Sequence, residues 1–172
     1  MRAAEIVARW VVVAACAGAG AQQVKPVDVF APIVDAVARK TPVPVRLPTA
    51  LPKVEGAENA LTAHVQSANE KGYEIEVGEG PICEAGHACH YGLFSGSKEP
   101  MARLAQLKSV PVALAGGIRG TYARLSYGGY CSGSHVLWSQ GGFFYAISMN
   151  CASREEMQRV ANAAIGSRRG GR

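Results

Sequence analysis

The sequence predicts an α+β domain: a mainly antiparallel, twisted sheet of about six strands built from hairpins, with a C-terminal helix packed on it and a short N-terminal helix. Three observations carry this. Segments that alternate apolar and polar residues come in pairs, joined by glycine-ended triplets, Glu70-Lys71-Gly72 and Gln140-Gly141-Gly142. A capping box, Ser153-Arg154-Glu155-Glu156, opens a helical pattern that Gly166 ends. Four cysteines, Cys83, Cys89, Cys131 and Cys151, follow a secretory-type leader and so read as two staples.

The leader occupies residues 1–21. Arg2 and Arg9 outweigh Glu5, Trp10 to Ala17 is apolar, and Ala19-Gly20-Ala21 is a small-x-small cleavage site, so the mature chain is expected to begin at Gln22. The apolar run is far shorter than the roughly 20 residues a spanning helix needs. A rival reading takes Val13-Ala14-Ala15-Cys16 as a lipobox; only in that case, with Cys16 acylated, would the chain be tied to a membrane.

Residues 22–55 hold a helix and a proline-rich stretch. Phe30, Ile33, Val34 and Val37 have helical spacing, with Pro32 tolerable in the first turn. Thr41 to Lys53 contains Pro42, Pro44, Pro48 and Pro52, which remove backbone donors, so it can be at most an edge strand, a wrapping segment or a tether. The domain proper is placed at 56–166. Leu61 to Ser67 and Tyr73 to Val77 form the first hairpin, with Gly72 in the left-handed position. Met101 to Leu107 suggests a short helix, and Val110 to Leu114 and Ile118 to Tyr127 read as strands around Ala115-Gly116-Gly117. Ser132 to Ser139 and Phe143 to Asn150 make the second hairpin, and Met157, Val160, Ala161, Ala164 and Ile165 line one face of the closing helix. Residues 167–172 are a basic tail.

Centring the second hairpin on Gly141 sets Cys131 opposite Cys151, Leu137 opposite Tyr145 and Trp138 opposite Phe144. Directly opposed residues have a disulfide's separation. Cys83 and Cys89 flank a five-residue loop with a central glycine, so the expected pairs are Cys83–Cys89 and Cys131–Cys151.

The formal charge is +5, but Arg168, Arg169 and Arg172 belong to the tail and the leader adds one more positive charge. From Gln22 to Gly166 there are 13 basic residues against 12 acidic ones. A balanced body does not track phosphates, so no nucleic-acid partner is expected.

The stretch Pro81 to Gly92, with its cysteines around a small loop, carries a resemblance together with Leu114 to Ile165, where Gly117-Ile118-Arg119-Gly120, Cys131-Ser132, Trp138-Ser139-Gln140, Tyr145 and Val160-Ala161-Asn162-Ala163-Ala164-Ile165 follow in order. These residues resemble a family of uncharacterised small bacterial secreted proteins with paired cysteines and a C-terminal hairpin plus helix. The likeness covers roughly half of the mature chain. It implies export and a strand-rich body with a closing helix, and no activity, cofactor or site residue.

Several groups invite chemistry. Cys83, His87, Cys89 and His90 are zinc-type ligands, but their spacing matches no common zinc motif and exported thiols oxidise. Gly129-Tyr130-Cys131-Ser132-Gly133 copies the nucleophile elbow of hydrolases, with His135 nearby as a base; that elbow joins a strand to a helix, whereas a strand follows here. His135 fits a core histidine better than a base, and His64 falls on the polar face of its strand. Gly116-Gly117-Ile118-Arg119-Gly120 precedes a β-rich segment and so reads as a turn, not a phosphate cradle. Trp138, Phe143, Phe144 and Tyr145 read as cross-strand sheet stabilisers. No catalytic, metal or cofactor residue is therefore assigned. The expectation is an exported, disulfide-stabilised, non-catalytic envelope or secreted domain that binds a protein, a cell-wall component or a small apolar ligand. The alternative is a small secreted hydrolase using Cys131 or Ser134 with His135.

Overall fold

The computed structural model describes residues 28–52, 61–80, 90–105, 107–125 and 133–167. Residues 1–21, expected from sequence to be a leader and including Cys16, lie outside the described residues, as do Cys83, Cys89 and Cys131. Seven antiparallel strands form one sheet: β1 (Leu61–Asn69), β2 (Gly72–Glu79), β3 (His90–Ser97), β4 (Ser109–Ala113), β5 (Arg119–Leu125), β6 (Gly133–Gln140) and β7 (Phe143–Asn150), in the order β1-β2-β3-β7-β6-β5-β4. Helices α1 (Val34–Lys40), α2 (Ala102–Ala105) and α3 (Arg154–Gly166) complete an α+β architecture. None of these described helices is long and apolar enough to cross a membrane.

β3 is the strand the sequence pattern does not announce. Its residues His90-Tyr91-Gly92-Leu93-Phe94-Ser95-Gly96-Ser97 are poor in β-branched types, yet it joins the β1–β2 hairpin to β7 and so to the rest of the sheet. Its glycines make room for neighbours. A Cβ on Gly96 would lie 2.5 Å from Cε1 of Tyr73, and one on Gly92 would lie 2.8 Å from the Ser148 carbonyl oxygen.

Both hairpins close with two residues, not three. Gly142 pairs with nothing in the ladder; Gln140 pairs with Phe143, and Gly141 (φ 61°) and Gly142 (φ 82°) both adopt the left-handed conformation of a primed turn. The register therefore moves by one residue from the one centred on Gly141. Trp138 opposes Tyr145 and Leu137 opposes Ala146, and the Trp138 and Tyr145 rings stack at 5.4 Å between centroids. The described ladder runs from Gln140 and Phe143 to Gly133 and Asn150, and Cys131 lies outside the described residues. In the first hairpin Gly72 pairs with Asn69, and the Asn69 Oδ1 accepts the Lys71 N–H at 2.8 Å. Gly72 is extended, not left-handed; a Cβ there would lie 2.1 Å from the Gly96 carbonyl oxygen.

The core lies between one face of the sheet and α3. Ile75, Val77, Phe94, Val136, Trp138, Tyr145, Ile147 and Met149 on the sheet join Met157, Val160, Ala161, Ala164 and Ile165 of α3 in one buried cluster. The proline-rich stretch is a wrapping segment of this core, since Val43, Val45 and Leu47 are buried and alternate with half-buried residues. At its far end the Tyr91 hydroxyl donates to the Pro52 carbonyl at 2.8 Å. Burial, with the nearby Glu156 charge, pushes that phenol up to about 12.

α3 also seals an edge of the sheet. Among the described residues β4 has only β5 as a strand neighbour, and of three side chains one turn apart on α3 two reach it and the third reaches the turn that follows it. Arg154 Nη2 donates to the Pro111 carbonyl at 3.0 Å, Gln158 Nε2 to the Ala113 carbonyl at 2.6 Å, and Asn162 Oδ1 accepts the Ala115 N–H at 2.7 Å. The match is geometric: four helical residues rise about 6 Å and two strand residues about 6.6 Å, so the two rows stay in step. Pro111 itself lacks a donor, which further blunts the edge.

The capping box forms as the sequence predicts. Ser153 Oγ accepts the Glu156 N–H at 3.2 Å, and the Ser153 N–H donates to Glu156 Oε2 at 2.8 Å. The main-chain N–H of Ser153, then its side chain, hold the Glu156 carboxyl below its ordinary range. Ser153→Ala is expected to cost about 1 kcal/mol in urea unfolding. Because the Glu156 pKa is depressed, its contribution is present above the unfolded-state value and is lost as pH falls through the folded one. Glu156→Gln should therefore be less stable than wild type at neutral pH and indistinguishable from it once acid has protonated the carboxyl.

Candidate functional site

The sheet has a second face, opposite α3, and its polar residues are placed by strand alternation. Reading the register from edge to edge gives a single row: His64 opposes Glu76, Glu76 opposes Leu93, Leu93 opposes Ser148, Ser148 opposes His135, His135 opposes Ala123, and Ala123 opposes Ser109. Neighbouring strands lie about 4.8 Å apart, so this row sets imidazole, carboxylate and hydroxyl groups across the sheet, interrupted by Leu93 and by the buried Ala123.

Two clusters of bonds lie along it. At the β1 side, His90 Nδ1 is 2.7 Å from Glu76 Oε1, Gln66 Nε2 donates to Glu76 Oε2, and His64 Nε2 is 3.4 Å from the Gly80 carbonyl. His90 and Glu76 are each about one quarter exposed, 24%. Asn150 Nδ2 donates to the His90 carbonyl at 2.8 Å and so ties this corner to β7. Near the centre, His135 Nδ1 is 2.6 Å from Ser148 Oγ, a cross-strand contact between half-buried side chains. Leu93, Leu137 and Phe144, all half-buried on the same face, lie between and beside these groups.

Adjacent residues Ser134 and His135 are not brought together. Strand alternation puts them on opposite faces, and the fully buried Ser134 hydroxyl donates to the Ala152 carbonyl at 2.6 Å, with the Tyr122 hydroxyl 3.2 Å away. His135 instead meets Ser148, a residue that sequence spacing does not single out because it arrives from the next strand. Cys151 sits just past β7 with φ 59°; it is disulfide-bonded, and the cysteine it joins lies outside the described residues.

The other residues singled out by sequence are placed as follows. The Trp138 and Tyr145 rings are in the core, 5% and 1% exposed, while Phe143 and Phe144 are half-buried. Ala115–Gly117 form a short 3-10 turn leading into β5, with Gly116 and Gly117 at φ 67° and 72°, so these glycines serve a turn. His90 pairs with Glu76, and among the described residues no cluster of three or more His, Cys, Asp or Glu side chains could hold a metal. His87, Cys83 and Cys89 lie outside the described residues. Compared with protein-family models, with curated proteins and with solved structures, the chain returns no match.

Proposed function

We propose that the chain is an exported, disulfide-stabilised, non-catalytic domain of the cell envelope or extracellular space, with a binding or structural role toward a protein, a cell-wall component or a small apolar ligand. One observation carries the reading. The hydroxyl and imidazole that sequence puts side by side, Ser134 and His135, are on opposite faces, and Ser134 is engaged as a tie to Ala152. The polar row on the second face supplies hydrogen-bonding groups on a rigid sheet, which suits recognition.

Export supplies the staples in this reading. Cys151 follows the last ladder residue of β7, and Cys131 precedes the first of β6 by two positions in sequence, which favours Cys131–Cys151 by proximity of the strand ends, with Cys83–Cys89 as the second pair. The test is intact mass and thiol titration of protein recovered from its producing cell. A start at Gln22, no lipid on Cys16 and no free thiol among the four downstream cysteines are expected. An uncleaved Met1 or four free thiols would remove the basis for export.

A second reading rests on the 2.6 Å contact of His135 with Ser148, a hydrolase in which the imidazole activates that hydroxyl. Turnover of simple esters or amides that vanishes in both Ser148→Ala and His135→Ala would establish it in place of the first.

A further inference from the structure

We propose that the connection from β3 to β4 is a strap that lifts to admit a small amphipathic anion, an apolar chain with a carboxylate head, onto the second face of the sheet. It rests on the non-catalytic binding role proposed above and gives that role a site. β4 lies four places from β3 in the sheet, about 19 Å away, and residues 98–108 span the gap. They pass over the second face, because Met101 Sδ meets Ser95 Oγ at 3.6 Å and Ser95 alternates with Phe94, which is buried on the core side. Two small residues of that face are covered. Ala146, which pairs with Ser95, and Ala123, which pairs with His135, are 2% and 1% exposed.

The strap is lightly fastened. Among the described residues its main-chain pairs are internal, Leu104 N–H to the Met101 carbonyl and Leu107 N–H to the Leu104 carbonyl, except at the root, where the Lys98 N–H donates to the Lys71 carbonyl. α2 is four residues long, too short to stand by itself. The Ser95 hydroxyl rests on a thioether, a weak acceptor that a carboxylate oxygen outcompetes. Met101, Leu104 and Leu107 are half-buried, so the strap holds its place through adaptable side chains that another apolar chain can replace. Segments with so few ties open first. Charge selects the head group. No Asp or Glu occurs from Pro100 to Ser153, whereas Lys108 at the foot of β4 and Arg119, on the second face of β5, are exposed. Glu74 and Glu76 stand on the β2 side of the same face, which turns a carboxylate toward β5.

Titration of the protein, as its cell processes it, with decanoate should show one site per chain, with the methyl resonances of Met101, Leu104, Ala123 and Ala146 shifting together as it fills. Arg119→Gln changes an exposed side chain, so it should keep a cooperative melt and weaken decanoate about threefold, as one exposed ion pair does, while leaving neutral decanol unchanged. Ala146→Leu fills the floor and should weaken both probes at least about tenfold. Met101→Ala adds no volume and loosens the strap's own hold, so it should fold and bind decanoate more tightly. No binding up to about 1 mM, decanol bound as tightly as decanoate, shifts confined to other residues, or weaker binding by Met101→Ala would each overturn the proposal. An exported chain with no decanoate site would overturn the strap alone. Ester turnover lost in Ser148→Ala, with the decanoate site intact, would overturn the non-catalytic reading and leave the strap standing.

Discussion

Gly96→Ala is expected to destabilise the protein by about 3 kcal/mol or more, at the upper end of what overpacking a core costs. The added methyl would stand 2.5 Å from Cε1 and 2.8 Å from Cζ of Tyr73, well inside contact distance. The ring cannot move aside cheaply. It is 3% exposed, and its hydroxyl accepts the Arg46 N–H at 3.0 Å, which ties it to the proline-rich wrap. Burial holds that phenol well above its ordinary pKa, so neither ionisation nor solvent offers a way out. Sliding β3 away is also blocked, because Gly72 packs directly on the Gly96 carbonyl. For a chain of this size the melting temperature should fall by roughly 10 °C. Gly166→Ala is the control: nothing lies within 4 Å of its Cβ position at the end of α3, so alanine should be neutral or stabilise by up to about 1 kcal/mol. A Gly96→Ala loss below about 1 kcal/mol would mean that Tyr73 does not cover β3 in solution.

The same residues explain why β3 is hard to read from sequence. A strand is recognised by the side chains it packs, and the core side of β3 is filled by others: Tyr73 lies over Gly96, and the Met149 side chain would meet a Cβ on Gly92 at 3.1 Å. Glycine then looks like a break where it is a close approach. The C-terminal helix is the opposite case. Its cap, its apolar spacing and its stop are all local, and α3 begins and ends where those signals put it. Register sits between the two. The pair Gly141-Gly142 marks a turn under either reading, and only the left-handed conformation of both residues separates a two-residue connection from a three-residue one. That single residue decides whether Tyr145 stacks on Trp138 or faces Leu137.

The polar row depended on the same distinction. His135 and Ser148 are 13 positions apart, and they meet because the two-residue turn opposes them. The three-residue turn would set His135 against Ile147 and leave it a lone core histidine. Glu76 and His90 are 14 positions apart, and their contact requires β3 to be a strand at all. The face therefore becomes visible only with the sheet order in hand, whereas the balance of charge from Gln22 to Gly166 is a property of composition.

Ser167→Ala is expected to cost about 2 to 3 kcal/mol, because one hydroxyl joins the end of α3 to the wrap. Ser167 is 1% exposed and Leu47 is fully buried. The Ser167 Oγ accepts the Leu47 N–H at 3.2 Å, and its own proton lies between the Leu47 and Ala164 carbonyls. Alanine removes both roles, and the buried Leu47 N–H is left without its acceptor while water is kept out. Arg46 works beside it: Nη1 donates to the Ile165 carbonyl at 2.7 Å and to the Ser167 carbonyl at 3.2 Å, which satisfies carbonyls at a helix end, and the guanidinium lies 5.6 Å from the Tyr145 ring centroid. The two residues hold one junction, so their losses should not add. Once Ser167→Ala lets the wrap lift, Arg46→Ala has less left to break, and the double variant should be more stable than the sum of single losses predicts by about 1 kcal/mol. Urea unfolding of the four proteins measures this directly, and amide exchange at Leu47 should accelerate in each variant. Strict additivity, or a Ser167→Ala loss under about 0.5 kcal/mol, would show that Ser167 and Arg46 do not form one junction and that the proline-rich segment rests on the core without fastening α3 through it.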